Sequence, residues 1–193
     1  MAFPDYKDDL LASDFDIVRI LDRYFHSGQS VCFIGAPPEV EPNFKNDIAR
    51  RIHNSLGVKL HSFQLILCGS AHLGFSPVPE KLGKPFDSSS SDIDVSVVST
   101  ELFDRWWAEL QSSALLPPLL TRIADDLFWG FINPAIVKNV SQIGRKWWDV
   151  FGAMGTNRAK GVRGRLYRDY WAMQNYHMVA IDGGRKKLLG MRM

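Results

Sequence analysis

Seven residues constrain this chain more than any others. Asp92-Ile93-Asp94-Val95-Ser96-Val97-Val98 alternates polar with apolar side chains, the period of a β-strand with one buried face. Residues 63–68, Phe-Gln-Leu-Ile-Leu-Cys, form an apolar run that closes at Gly69-Ser70 and reads as a second, buried strand. Strands this short need helices to cover them, and the sequence supplies helical spacing. Ser13, followed by Asp16 and then Ile17, Val18, Ile20, Leu21, Tyr24 and Phe25, predicts a capped amphipathic helix that stops at Gly28. Phe44, Ile48, Ile52 and Leu56 recur every fourth residue and predict a helix over 43–56 with Gly57 at its end. Leu102, Phe103, Trp106, Trp107 and Leu110 predict another from near Thr100, broken by Pro117-Pro118. More helix is expected over 119–129, 140–151 and 170–189, and further strands over 31–34 and 161–169. The expectation is one mixed α/β (α+β) domain over 1–193 with its core at about 42–170. It has a small mixed sheet flanked by helices, a more helical C-terminal half, and an N-terminal helix and a basic C-terminal helix as appendages.

Composition excludes several classes. Of 193 residues, 46% are hydrophobic and 23% charged, which rules out collagen-like, coiled-coil and largely disordered chains. Cys32 and Cys68 are too few for a disulfide framework and sit in apolar runs, as core residues of a reducing compartment do. The acidic start through Asp8 and Asp9 lacks the basic and apolar segments of a secretory signal. The longest charge-free apolar stretch, 127–137, has 11 residues and contains Pro134; a membrane span needs about 20. A cytoplasmic protein without membrane contact is expected. Charge is uneven: from 158 to 193 nine Lys or Arg face two Asp, a net of +7, which leaves −5 on residues 1–157 of a chain whose total is +2. That asymmetry predicts an anionic partner for the C-terminal region.

The chemistry concentrates at the two strands. Asp92 and Asp94 project from one strand face about 6.6 Å apart along the backbone. Two carboxylates so placed can converge on a pair of divalent ions about 4 Å apart, as in-line phosphoryl displacement uses. Gly69 permits close backbone approach to a phosphate, and the Ser70 hydroxyl with the amides beside it offers donors to phosphate oxygens. No Walker loop, dinucleotide-binding glycine motif or nucleophile elbow competes. The five histidines, His72 beside the Gly-Ser turn among them, lack zinc-ligand spacing.

A strand ending in Gly69-Ser70, followed by a strand opening with Ser91-Asp92-Ile93-Asp94, resembles the signature of the DNA polymerase β nucleotidyltransferase superfamily over about residues 63–98. The resemblance implies transfer of a nucleoside monophosphate from an NTP such as ATP to a hydroxyl, with Mg2+ or Mn2+. The implied acceptor is an RNA or tRNA end, a protein or a nucleotide, and the implied setting a bacterial toxin–antitoxin or antiviral defence system. On this likeness Asp92 and Asp94 are catalytic metal ligands, while Gly69, Ser70 and Ser91 bind the nucleotide. A third carboxylate is expected from a later strand; Asp169 is the candidate, with Asp125, Asp126 and Asp149 in helical stretches behind it. The step of 23 residues from Gly69 to Asp92 exceeds the family's usual spacing and implies an inserted loop at 76–87, whose Lys81 and Lys84 would fold over the triphosphate. Two alternatives stay open. One is a catalytically inactive module of the same fold that acts through a partner protein, anchored by Trp106-Trp107, Trp147-Trp148, Phe128-Trp129 and Trp171. The other is an RNA binder that uses the basic C-terminal region.

Overall fold

A computed structural model describes residues 2–12, 16–113 and 117–191. Four strands form a mixed sheet: β1 (Leu65–Cys68), β2 (Asp92–Val98), β3 (Phe131–Ile132) and β4 (Gly161–Tyr167), in the order β1-β2-β4-β3. β1 and β2 are antiparallel, β2 and β4 parallel, and β3 and β4 antiparallel. Parallel neighbours cannot be joined by a hairpin. The long crossover from β2 to β4 contains β3 and the helices α5 (Thr100–Ser112), α6 (Pro117–Phe128), α7 (Pro134–Val137) and α8 (Gln142–Gly152). The mixed α/β class expected from the sequence is the class observed.

The period of two decides which face is which. Leu65 and Leu67 of β1, Ile93, Val95 and Val97 of β2, and Val162 and Leu166 of β4 point into the main core. Helix α3 (Val40–Leu56) brings Ile48, Ile52 and Leu56 to it, α5 brings Trp106, and α8 brings Trp147 and Phe151. α3 starts three residues earlier than the apolar spacing predicts, because Pro42 is tolerated in a first helical turn. It ends on Gly57, whose φ of +73° suits the left-handed cap. The opposite sheet face carries Ile66, Val98 and Tyr167 under Met173 and Tyr176 of α9 (Tyr170–Leu188).

The terminal helices are not appendages. α1 (Phe3–Leu11) and α2 (Ile17–Leu21), which runs on into a π-helical turn over Asp22–His26, pack against α9. Tyr6, Leu10, Ile20, Tyr24, Phe25, Phe75 and Ile181 there form a second apolar cluster. The helix start expected at Ser13 lies outside the described residues; Asp16 caps α2, its carboxylate accepting from the Val18 and Arg19 amides. Residues 31–34 are not a strand. Val31–Phe33 forms a 3-10 turn that buries Cys32 and Phe33, since a four-residue apolar run specifies burial but no period. Phe63 and Gln64 likewise belong to a 3-10 turn, Ser62–Gln64, and Gly69 opens a short helix, α4 (Gly69–Leu73).

Among the described glycines, Gly164 is the one where an added Cβ would come closest to another atom. A Cβ there would fall on the Phe151 ring, and the Trp147 indole N–H donates to the Gly164 carbonyl at 3.3 Å. Gly164→Ala is therefore expected to lower stability by about 1–3 kcal/mol, the range for overpacking a filled core. Urea midpoints measure it, and an unchanged midpoint would mean that Phe151 has room to move.

Candidate functional site

The parallel register between β2 and β4 assembles the site. It sets Gly161 opposite Asp92 and Arg163 opposite Asp94, while the antiparallel register with β1 sets Cys68 opposite Asp94. Gly69 therefore starts beside the Asp94 carboxylate. A Cβ on Gly69 would stand 2.7 Å from Asp94 Oδ2, and its φ of +66° is one that L side chains rarely adopt. A Cβ on Gly161 would stand 3.2 Å from Asp92 Oδ1. Two glycines thus make room for two carboxylates. Asp92 and Asp94 share a cavity of about 520 Å³ with Lys160, Arg163 and Arg165.

The arginines belong to the site, and sequence reasoning did not single them out. Arg163 Nε lies 2.6 Å from Asp92 Oδ2. Arg165 is half-buried, with its guanidinium 5.1 Å from the Tyr176 ring centre. The signal was present: Arg163-Gly164-Arg165 repeats on β4 the alternation that Asp92-Ile93-Asp94 shows on β2, so both pairs leave the same sheet face.

Burial holds the Asp94 carboxyl above its ordinary range; the Arg165 charge is the largest influence against that. Behind it the sheet face is sealed by uncharged groups. The Cys68 thiol donates to the Asp94 carbonyl at 3.5 Å, and Ser96 Oγ lies 3.4 Å from both Cys68 Sγ and His177 Nε2. Burial pushes the Cys68 thiol up to about 12 and the His177 imidazole down to about 3, so both are neutral at pH 7. Ser96, Cys68 and His177 are a buried polar support, closed to solvent.

Several expected site residues lie elsewhere. Asp169 is at the far end of β4: Tyr167 pairs with Val98, whereas Arg163 pairs with Asp94, which puts Asp169 about 20 Å along the strand direction from the acid pair. Its carboxylate caps α9, accepting from the Ala172 amide at 2.8 Å. Asp149 is exposed on α8, and Asp125 and Asp126 lie on α6. Lys81 and Lys84 are not among the residues lining the cavity of the acid pair. Their loop folds back on the N- and C-terminal helices: Phe3 packs at Gly83, Pro79 at Gly183, and Lys187 Nζ donates to the Pro79 carbonyl. Ser91 extends the strand pairing, its carbonyl accepting from Lys160 N–H at 2.9 Å, and the Ser70 carbonyl accepts from Gly74 N–H at 2.8 Å. His72 is buried, with Nδ1 2.9 Å from Ser30 Oγ. Several of the basic C-terminal residues have partners of their own. Arg168 pairs with Asp104, Lys186 with Asp182, and Arg158 donates to the Cys32 carbonyl.

No family model, curated protein or solved structure matches this chain. Its chemistry is read from the site alone. No group of three His, Cys, Asp or Glu side chains placed to hold a metal occurs among the described residues. Asp92 and Asp94 are the two carboxylates on this cavity wall, and the residue paired with Asp94 on the neighbouring strand is Arg163 rather than a third carboxylate.

Two substitutions test these assignments. Asp169→Ala should cost about 1 kcal/mol, as loss of a helix cap does, and leave ligand affinity at the acid pair unchanged. Asp94→Asn should instead raise stability at neutral pH. With the folded carboxyl held above its unfolded value, the native state binds the extra proton between the two, and stability falls as pH rises through that window. Below the ordinary carboxylate value of about 3.9 the penalty is absent, so wild type and variant should converge there. Urea midpoints from pH 3 to 8 decide it; a variant less stable than wild type at pH 7 would show that the Arg165 pairing outweighs burial.

Proposed function

We propose that this chain is a nucleotidyltransferase-like nucleotide-binding module, whose cleft takes a nucleoside triphosphate together with one Mg2+ or Mn2+. The observation that carries the reading is the mixture of charge in one cavity, Asp92 and Asp94 beside Arg163 and Arg165. Carboxylates alone would recruit a cation and arginines alone an anion; side by side they suit a metal–polyphosphate complex. Asp92 and Asp94 would hold the ion, which neutralises phosphate charge when bound. Arg163 and Arg165 would donate to phosphate oxygens, and the Ser70 hydroxyl would serve the turn beside Gly69. The likeness of Gly69-Ser70 and Ser91-Asp92-Ile93-Asp94 to the polymerase β superfamily supports a nucleotide over other polyphosphates.

Binding without transfer is the preferred reading, because an arginine faces Asp94 where a third carboxylate would be needed. Such a module would act through a partner, and a surface for one is available. Phe128, Trp129 and Trp171 are 80%, 52% and 60% exposed, with the two indoles stacked at 6.3 Å. Transfer of the nucleoside monophosphate to a hydroxyl of RNA, tRNA, protein or another nucleotide is the second reading. The Gly69 turn favours it, since it stands against the Asp94 carboxylate and would bring the phosphates of a bound triphosphate beside the acid pair. No helix among the described residues is long and apolar enough to cross a membrane, and two free buried cysteines suit the reducing cytoplasm where we place the protein.

The test has two arms. Calorimetric titration with each NTP and Mg2+ should show binding that Asp92→Asn and Arg163→Ala each weaken by about 10–100-fold, the worth of a charge-assisted contact. Incubation with α-labelled NTPs and cell extract should leave no label on any acceptor. Label on an acceptor, lost in Asp94→Asn, would establish the transfer reading instead, and absence of any NTP binding would overturn both.

A further inference from the structure

We infer that the base of the bound nucleotide stacks on Trp148 in the wall of this cavity; this rests on the nucleotide reading given above. The cavity exists because β3 is short. β3 pairs with β4 only through Phe131↔Tyr167 and Ile132↔Leu166, so from Gly161 to Arg165 the outer edge of β4 has no strand beside it. The gap is walled by Trp148, Phe151 and Met154 and by the start of α7 at Asn133 and Pro134. One cavity is therefore lined both by two carboxylates and two arginines and by aromatic, uncharged side chains. That combination matches a ligand that joins a charged polyphosphate to a flat, uncharged ring.

Trp148 is the aromatic side chain of this cavity that core packing does not account for. Its neighbours on α8, Trp147, Val150 and Phe151, are buried, whereas Trp148 keeps 44% of its surface exposed. The Lys138 ammonium lies 3.8 Å from its ring centre, and Trp148 itself lines the cavity. This cation–π contact helps to hold the indole in place at the cavity wall. A volume of about 520 Å³ is within the ordinary range for small-molecule and cofactor sites.

The experiment compares inorganic tripolyphosphate with the four NTPs, each with Mg2+, by calorimetric titration of the full chain. Wild type should bind at least one NTP about tenfold or more tightly than tripolyphosphate, the contribution of one base stack. Trp148→Ala should bring that NTP down to the affinity of tripolyphosphate and leave tripolyphosphate itself unchanged. Trp148→Phe should restore most of the difference, which separates stacking from any loss of fold, and a thermal melt of each variant checks the fold directly. Equal affinity of wild type for NTPs and tripolyphosphate, or an NTP preference that survives Trp148→Ala, overturns the inference while leaving the phosphate site intact. Failure of wild type to bind either ligand overturns the nucleotide reading and this inference with it.

Discussion

The pairing of β2 with β4 is the interaction on which the rest depends. It joins the two longest strands of the sheet in parallel, and its register alone determines what meets at their N-terminal ends. Because side chains alternate, a slip of one residue would turn Asp92 and Asp94 into the apolar core and bring Ile93 and Val95 to the cavity. The apolar set of β2 and its packing against α3, α5 and α8 therefore fix the site as firmly as any contact within it. Gly161 and Gly164 show both sides of that constraint. The first leaves space for a carboxylate on the cavity face, and the second leaves space for Phe151 on the core face.

The site is held against the preference of its own groups. A carboxylate that burial disfavours, a glycine at φ +66° pressed against it and two arginines on the next strand are not what a sheet chosen for stability would carry. Uncharged neighbours beneath them, Ser96, Cys68 and neutral His177, support the strand face without adding charge. The folded core supplies the compensation: Trp106, Trp147, Ile48 and Ile52 are almost wholly buried on the other face of the same sheet.

Most of this was legible in the sequence where one period dominates. β2 begins and ends where the alternation does, and Gly57 ends α3 as a left-handed cap. The adjacency of Gly69 to Asp94 follows from two strands and one turn. The sequence misled where an element's end carries two meanings. Asp169 closes a strand pattern and also opens a helix, and only the parallel register shows that this end of β4 is remote from Asp92. Residues 31–34 lacked length, since four apolar residues fit a buried turn as well as a strand. Charge counted along the chain also ignores local pairing: Arg163 meets Asp92, Arg168 meets Asp104 and Lys186 meets Asp182.

The ion pair between Arg163 and Asp92 shapes how the cleft can work. Taken singly, either charge at the cavity wall would favour its own counter-ion from solvent; paired at 2.6 Å they neutralise each other. A ligand that carries only a cation must break the pair and leave Arg163 without its partner. A ligand that carries only an anion must do the same to Asp92, and an uncompensated charge in a partly buried site is expensive. A metal–phosphate complex exchanges both partners at once, giving the carboxylate a cation and the guanidinium an anion. Arg163, with about two thirds of its side chain exposed, can turn toward such a ligand without disturbing the core. On the proposed nucleotide reading, selectivity for the complete complex over either half would follow from the strand register that sets these two residues side by side.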